Sequence, residues 1–174
     1  MEYFRIKQDP ECLEAVVIPD AIKQIDRRYV TPEEADRIED VTVFRLDGTD
    51  YPEFIDILDR QLFLVSSQLK EVFGLYVPKL KYKIVIVANS EKGLVNTYHL
   101  PIFAPVDCLS EQSVMTPDKK NVRKLVLKQS LLGRKAIFKV QHDFENIIIA
   151  RLDAAESMLR RNLRGIKMVR VELD

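Results

Sequence analysis

Nucleophilic catalysis needs a thiol or hydroxyl beside a base, and this sequence holds only two histidines, His99 and His142. Cys108 follows His99 closely enough for a strand–loop arrangement to bring them together, and an imidazole there would lower the thiol pKa. Asp107 is a second possible partner for His99, and either pairing would suit a small hydrolase or transferase. Against this, Cys108 sits between Asp107 and Leu109 with no helix start to stabilise a thiolate. A structural cysteine of ordinary reactivity is the expectation. Ser66, Ser67, Ser110 and Ser113 lack a G-x-S-x-G elbow, and Ser66 and Ser67 read as helix caps. His142, between Gln141 and Asp143, reads as exposed in a polar turn.

Cofactor and metal chemistry find still less. The five glycines, at 48, 74, 93, 133 and 165, are too dispersed for either the G-x-G-x-x-G dinucleotide loop or the G-x-x-x-x-G-K phosphate cradle. Cys12 and Cys108 form neither a disulfide framework nor a C-x-x-C site, and the histidines lack zinc spacing. No cofactor and no metal are therefore expected. Asp56 and Asp59 flank Ile57-Leu58 and are expected to face water.

Charge is divided along the chain. Residues 1–60 carry 16 acidic and 8 basic groups, a net −8, and residues 61–174 carry 11 and 19, a net +8. Thr31–Asp59 holds ten acids against Arg37 and Arg45, whereas Lys119–Lys139 holds eight bases and no acid. Complementary or solvated faces are the ordinary use of such charge, and steering of a partner is the functional one. The basic segment could neutralise phosphates, but Phe138 is its one aromatic and the pI near 6.8 argues against a nucleic-acid binder. Glu33, Glu34, Asp36, Glu39 and Asp40 are the densest acidic cluster and the leading candidates for contact with a protein partner.

The elements that must position these residues are mostly strands. Tyr3–Lys7 reads as a strand ended by Asp9-Pro10, and Val41–Leu46 as one stopped by Asp47-Gly48. Between them, Asp20–Arg27 suggests a short helix. Thr31-Pro32-Glu33-Glu34 reads as a capping box that should open a helix to about Asp40, burying Ala35 and Ile38. Leu62–Val65 and Leu80–Ala88 are predicted strands around a helix capped at Ser67, with Leu69, Val72 and Phe73 inward and Gly74 at its end. Ile147–Ala150 and Ile166–Glu172 bracket a second helix, from about Asp153 to Gly165, with Ala155, Met158, Leu159 and Leu163 on its core face. The two strand–helix–strand units align at an offset of 86 and read as common units of that kind. Tyr98–Phe103, Val122–Leu127 and Ala136–Val140 complete a strand-dominated chain with two or three short helices. The class is α+β, with a mostly antiparallel or mixed sheet. One domain over residues 1–174 is expected, with residues 1–60 as a possible loosely attached acidic subdomain.

Several short segments carry a family likeness. They are Leu64-Val65-Ser66 opening a helix, Tyr98-His99-Leu100 leading to Val106-Asp107-Cys108-Leu109 and Ser113, Ile137-Phe138-Lys139-Val140, Ile147-Ile148-Ile149 opening a helix, and Gly165-Ile166 before a final strand. Through them, residues 62–172 resemble bacterial immunity proteins of polymorphic-toxin systems, in the branch long catalogued as a domain of unknown function. The resemblance implies an α+β, non-enzymatic protein that binds and neutralises a cognate toxin. It supplies no catalytic residue. Asp107 and Ser113 match family-like positions, as contacts or as turn formers. The first 60 residues depart from that pattern.

Met1–Lys7 is charged from its second residue, unlike a signal peptide, and the longest aliphatic run, Ile84–Ala88, is far shorter than the ~20 residues of a membrane span. A cytoplasmic protein with free thiols and no membrane association is expected. No oligomeric state is encoded by any of these patterns.

Overall fold

The computed structural model describes residues 1–48 and 51–174; Asp50, one of the ten acids counted above, lies outside them. The chain opens with β1 (Tyr3–Gln8), α1 (Ala21–Gln24), single 3-10 turns at Arg27–Tyr29 and Ala35–Arg37, and β2 (Val41–Arg45). Next come β3 (Ile57–Leu58), β4 (Leu64–Ser66) and α2 (Ser67–Tyr76), then the long hairpin of β5 (Lys81–Asn89) and β6 (Leu94–Ile102). β7 (Val114–Met115), β8 (Val122–Lys124), β9 (Val126–Leu127) and α3 (Gln129–Leu132) are short. β10 (Ile137–Val140), β11 (Ile147–Arg151), α4 (Leu152–Leu159), β12 (Ile166–Arg170) and β13 (Glu172–Leu173) end it. The α+β class holds, and among the described residues only α2 and α4 are helices of more than about one turn.

Two main sheets result. The first has the order β2-β5-β6-β4-β3 and is antiparallel except where β2 runs parallel to β5. The second, β10-β11-β1-β12, is antiparallel throughout. Residues 1–60 are threaded through both: β1 is hydrogen-bonded on each side within the second sheet, and β2 and β3 are the edges of the first.

Burial follows the alternation of strand faces. Val85, Val87, Tyr98, Leu100 and Ile102 of the hairpin face Ala15–Ile38 in one cluster. On the opposite side, Val65 joins Leu69, Val72 and Phe73 of α2 and Ala154, Ala155 and Met158 of α4. Ile148 and Ala150 of β11 complete that helix layer, while Ile147 and Ile149 point the other way, toward Tyr3, Cys108, Leu127 and Phe138. β11 is thus covered on both faces, which is why its sequence is continuously aliphatic rather than alternating.

Five local expectations are corrected. Thr31 opens only a turn, its carbonyl accepting from Glu34 and Ala35 N–H at 3.2 and 2.9 Å, and the chain is extended again by Ile38. A helix to Asp40 would forfeit the Asp40 carbonyl bond to Ile84 N–H (2.9 Å), which starts the β2–β5 pairing. Ser66, not Ser67, caps α2, accepting from Leu69 N–H at 3.1 Å. The helix runs past Gly74 and stops where Val77 precedes Pro78, a residue pair that disfavours helical geometry.

The other two corrections concern α4 and the acids near Ile57. Leu159 closes α4 and is 67% exposed, because the buried stripe is Ala154, Ala155, Ser157 and Met158. At about 100° per residue, Leu159 falls just beyond that arc. The helix ends there, so Gly165 is no helix cap. It instead makes the turn into β12, at φ +73°, with Ile55 so close that a Cβ would lie 2.6 Å from its Cδ1. Asp56 does not point to water: its carboxylate accepts from Ser66 Oγ (2.5 Å) and Arg164 N–H (2.6 Å). Asp59 exchanges hydrogen bonds with Gln8, accepting from its N–H at 2.9 Å, and burial pushes its carboxyl pKa up.

Candidate functional site

His99 and Cys108 are not brought together as a dyad. Cys108 is fully buried among Leu127, Leu132 and Phe138, and its carbonyl accepts from Lys128 N–H. Burial, with Asp107 adding to it, pushes the thiol up to about 11, the reverse of activation. His99 lies on β6 between Val65 and Ile84, 8% exposed, edge-on to the Tyr82 ring. Burial, then the Lys70 charge, lowers its pKa, so it is neutral at pH 7. Its Nε2 lies 3.1 Å from Ser67 Oγ, a contact made by strand order between residues 32 positions apart that no local pattern marks. Its Nδ1 meets no hydrogen-bond partner among the described residues, so no carboxylate orients the ring as a triad would. The contact ties the first turn of α2 to β6.

The acidic cluster is different, because the fold displays it. Ala35 and Ile38 are buried and anchor the turn, which leaves Glu33, Asp36 and Glu39 exposed. Glu34 pairs with Arg37 at 2.8 Å, and Arg37 in turn lies over the Tyr29 ring. Asp40 accepts from Lys83 Nζ at 2.7 Å, which holds its carboxyl below the usual range. Glu33, Asp36 and Glu39 make no ion pair among the described residues, so their field is not cancelled locally.

Beside this turn runs the free edge of β2. Among the described residues β5 is its only strand partner, so one side of its main chain has no strand beside it there. Val41 and Val43 are 45% and 48% exposed there. An open groove of about 590 Å³ follows the edge, walled by Ile25, Tyr29, Ile38 and Glu39. Sequence alone could flag Val41–Arg45 as a strand but not as an edge, since edge status depends on which strands pair.

The remaining candidates separate. Asp107 is exposed, whereas Ser113 is turned inward, its hydroxyl donating to Val126 C=O (2.8 Å) and accepting from Val126 N–H (3.0 Å) across thirteen residues. Of the basic segment, Lys119, Lys120, Arg123, Lys124, Arg134 and Lys135 are exposed, Lys124 pairs with Glu172, and Lys139 is half-buried in a cleft. No family model matches the chain, and no curated protein is significantly similar to it.

Proposed function

We propose that this chain is a binding protein rather than an enzyme, and that it neutralises a cognate bacterial toxin in the cytoplasm by direct contact. The observation that carries the reading is the β2 edge, set beside three exposed carboxylates that make no ion pair among the described residues. An extended partner segment can add to such an edge through main-chain hydrogen bonds, with alternate side chains reaching the groove. Glu33, Asp36 and Glu39 would steer a basic partner, as a nucleic-acid-directed toxin presents, and raise the association rate more than the affinity. The likeness of residues 62–172 to immunity proteins supports the same reading.

The test is to identify the product of the neighbouring reading frame, co-express it with this chain, and measure association kinetics across salt concentrations. Reversing Glu33, Asp36 and Glu39 to Lys should slow capture about tenfold or more at low salt and flatten its salt dependence. Val43→Lys, which blunts the edge, should speed dissociation. Failure of the wild-type chain to bind or protect overturns the reading. Unchanged kinetics in both folded variants would move the interface off this face.

A further inference from the structure

A charge taken out of water is stable only when it is paired, well hydrogen-bonded or shifted toward neutrality. Arg27 and Lys139 meet it only in the last way, since neither has an acidic partner among the described residues. Arg27 stands on the 3-10 turn after α1 and Lys139 on β10, yet both line the same two adjoining clefts. One is a tight recess of about 10 Å³ against Phe63, Leu100 and Ile148, and the other opens outward with about 220 Å³. Burial lowers the pKa of both side chains, and repulsion from Arg27 lowers Lys139 further, to about 8, with no carboxylate opposing either effect. Lys139 is therefore still protonated at neutral pH, facing another cation at the floor of a cleft.

The remainder of the outer cleft supplies hydrogen-bond donors. His142 Nδ1 accepts from the N–H groups of Phe144 (3.3 Å) and Glu145 (3.0 Å), which leaves Nε2 as the ring nitrogen assigned a proton. That leaves an N–H donor on a residue of the cleft wall, together with the Gln141 amide and the Thr31 hydroxyl. Arg28 is also on the wall but is neutralised by Asp26 at 2.6 Å. Asp143 also lines this cleft; it is exposed and makes no ion pair among the described residues. The cleft thus holds two cations without an ion pair among the described residues, one exposed carboxylate and several hydrogen-bond donors.

The geometry points to a binding site for a phosphate group, free or as the monoester of a small molecule, held between Arg27 and Lys139 with His142 as a further hydrogen-bond donor. A compact dianion offsets both cations at once, whereas a monocarboxylate offsets one, and the guanidinium fork matches two phosphate oxygens. The same two charges that strain the free protein thus become the reason to bind. This site is independent of the β2 groove, which neither residue lines.

The experiment is thermal unfolding and titration calorimetry of the full chain at pH 7 and matched ionic strength. The probes are inorganic phosphate, adenosine monophosphate, acetate and succinate. Phosphate should raise the unfolding midpoint saturably, and acetate should not. Tighter binding of the monophosphate than of phosphate identifies a phosphomonoester ligand, and the reverse identifies free phosphate. K139M, which keeps the apolar stem, should raise the midpoint of the free protein and weaken phosphate binding about tenfold or more, the loss of one charged hydrogen bond. R27Q should weaken it similarly, giving a second reading if K139M fails to fold. Equal shifts from acetate and phosphate, tighter binding of succinate, or unchanged phosphate affinity in folded K139M or R27Q overturns the proposal.

Discussion

β4 runs into α2 and β11 runs into α4 with no loop between strand and helix, and the two helices pack against each other. Ser67 and Leu152 open the helices 85 positions apart, and at that spacing Leu69, Val72 and Phe73 correspond to Ala154, Ser157 and Met158, all buried. The offset of 86 suggested by hydrophobicity alone was one residue long, because it rewarded Leu159 over the small, buried Ser157. The units differ at the join. α2 carries its own cap in Ser66, which is held in turn by Asp56. α4 starts at Arg151 with no side-chain cap; Asp153 binds the Arg151 guanidinium at 2.7 and 2.8 Å, and Tyr76, the last residue of α2, donates to the Asp153 carbonyl. One helix start is specified locally, and the other leans on its neighbour.

The largest effects should be common to both units. Phe73→Ala should cost about 3–5 kcal/mol and Met158→Ala about 2–5 kcal/mol in urea unfolding, since each empties space in the shared helix layer. A much smaller loss at Met158 would place the α4 stripe elsewhere. Asp56→Ala tests the link between the units, because it strips partners from both Ser66 and the Arg164 turn. About 1–3 kcal/mol is expected, with a double-mutant cycle against Ser66→Ala showing strong coupling.

Helix starts come next. Ser66→Ala should cost about 0.5–2 kcal/mol, as loss of a helix cap does, while Asp153→Ala, which removes a largely exposed ion pair, should stay within about 1 kcal/mol. Equal losses would erase the distinction between a local and a borrowed start.

His99 adds a pH signature to the first unit. Its folded pKa lies below the unfolded value near 6.5, so the unfolded chain binds the extra proton first. The stabilising difference is complete above that value and is lost as pH falls below it toward the folded pKa. Denaturation midpoints between pH 7.5 and 5 should show this slope, and His99→Gln should flatten it. Smallest of all, Leu159→Ala should change stability by no more than about 0.5 kcal/mol, the range of surface substitutions.

The legible parts were those set by neighbours along the chain. Tyr3–Gln8, Val41–Arg45 and Ile147–Arg151 are strands where β-branched and aromatic residues run up to turn signals. The exposed acids at 33, 36 and 39 were legible too, since charged side chains flanking buried Ala35 and Ile38 have only solvent to face. The misread parts were small or polar residues whose partners lie far away in sequence. Asp56 reaches Arg164, Asp59 reaches Gln8, and Ser67 reaches His99. No local pattern encodes such pairs, because each is made by strand order rather than by spacing.

By itself, then, the sequence determined the α+β class, most strand positions and the unequal division of charge, all of which follow from local propensity and alternation. Tertiary structure decided three further things: that β2 is an edge, that the turn after Thr31 stays short to let β2 pair with β5, and that Arg27 and Lys139 share a cleft. The physical reason is the same in each case. Pairing and burial are properties of surfaces that meet only after the chain has folded, and a charge gains its meaning from the groups that surround it there.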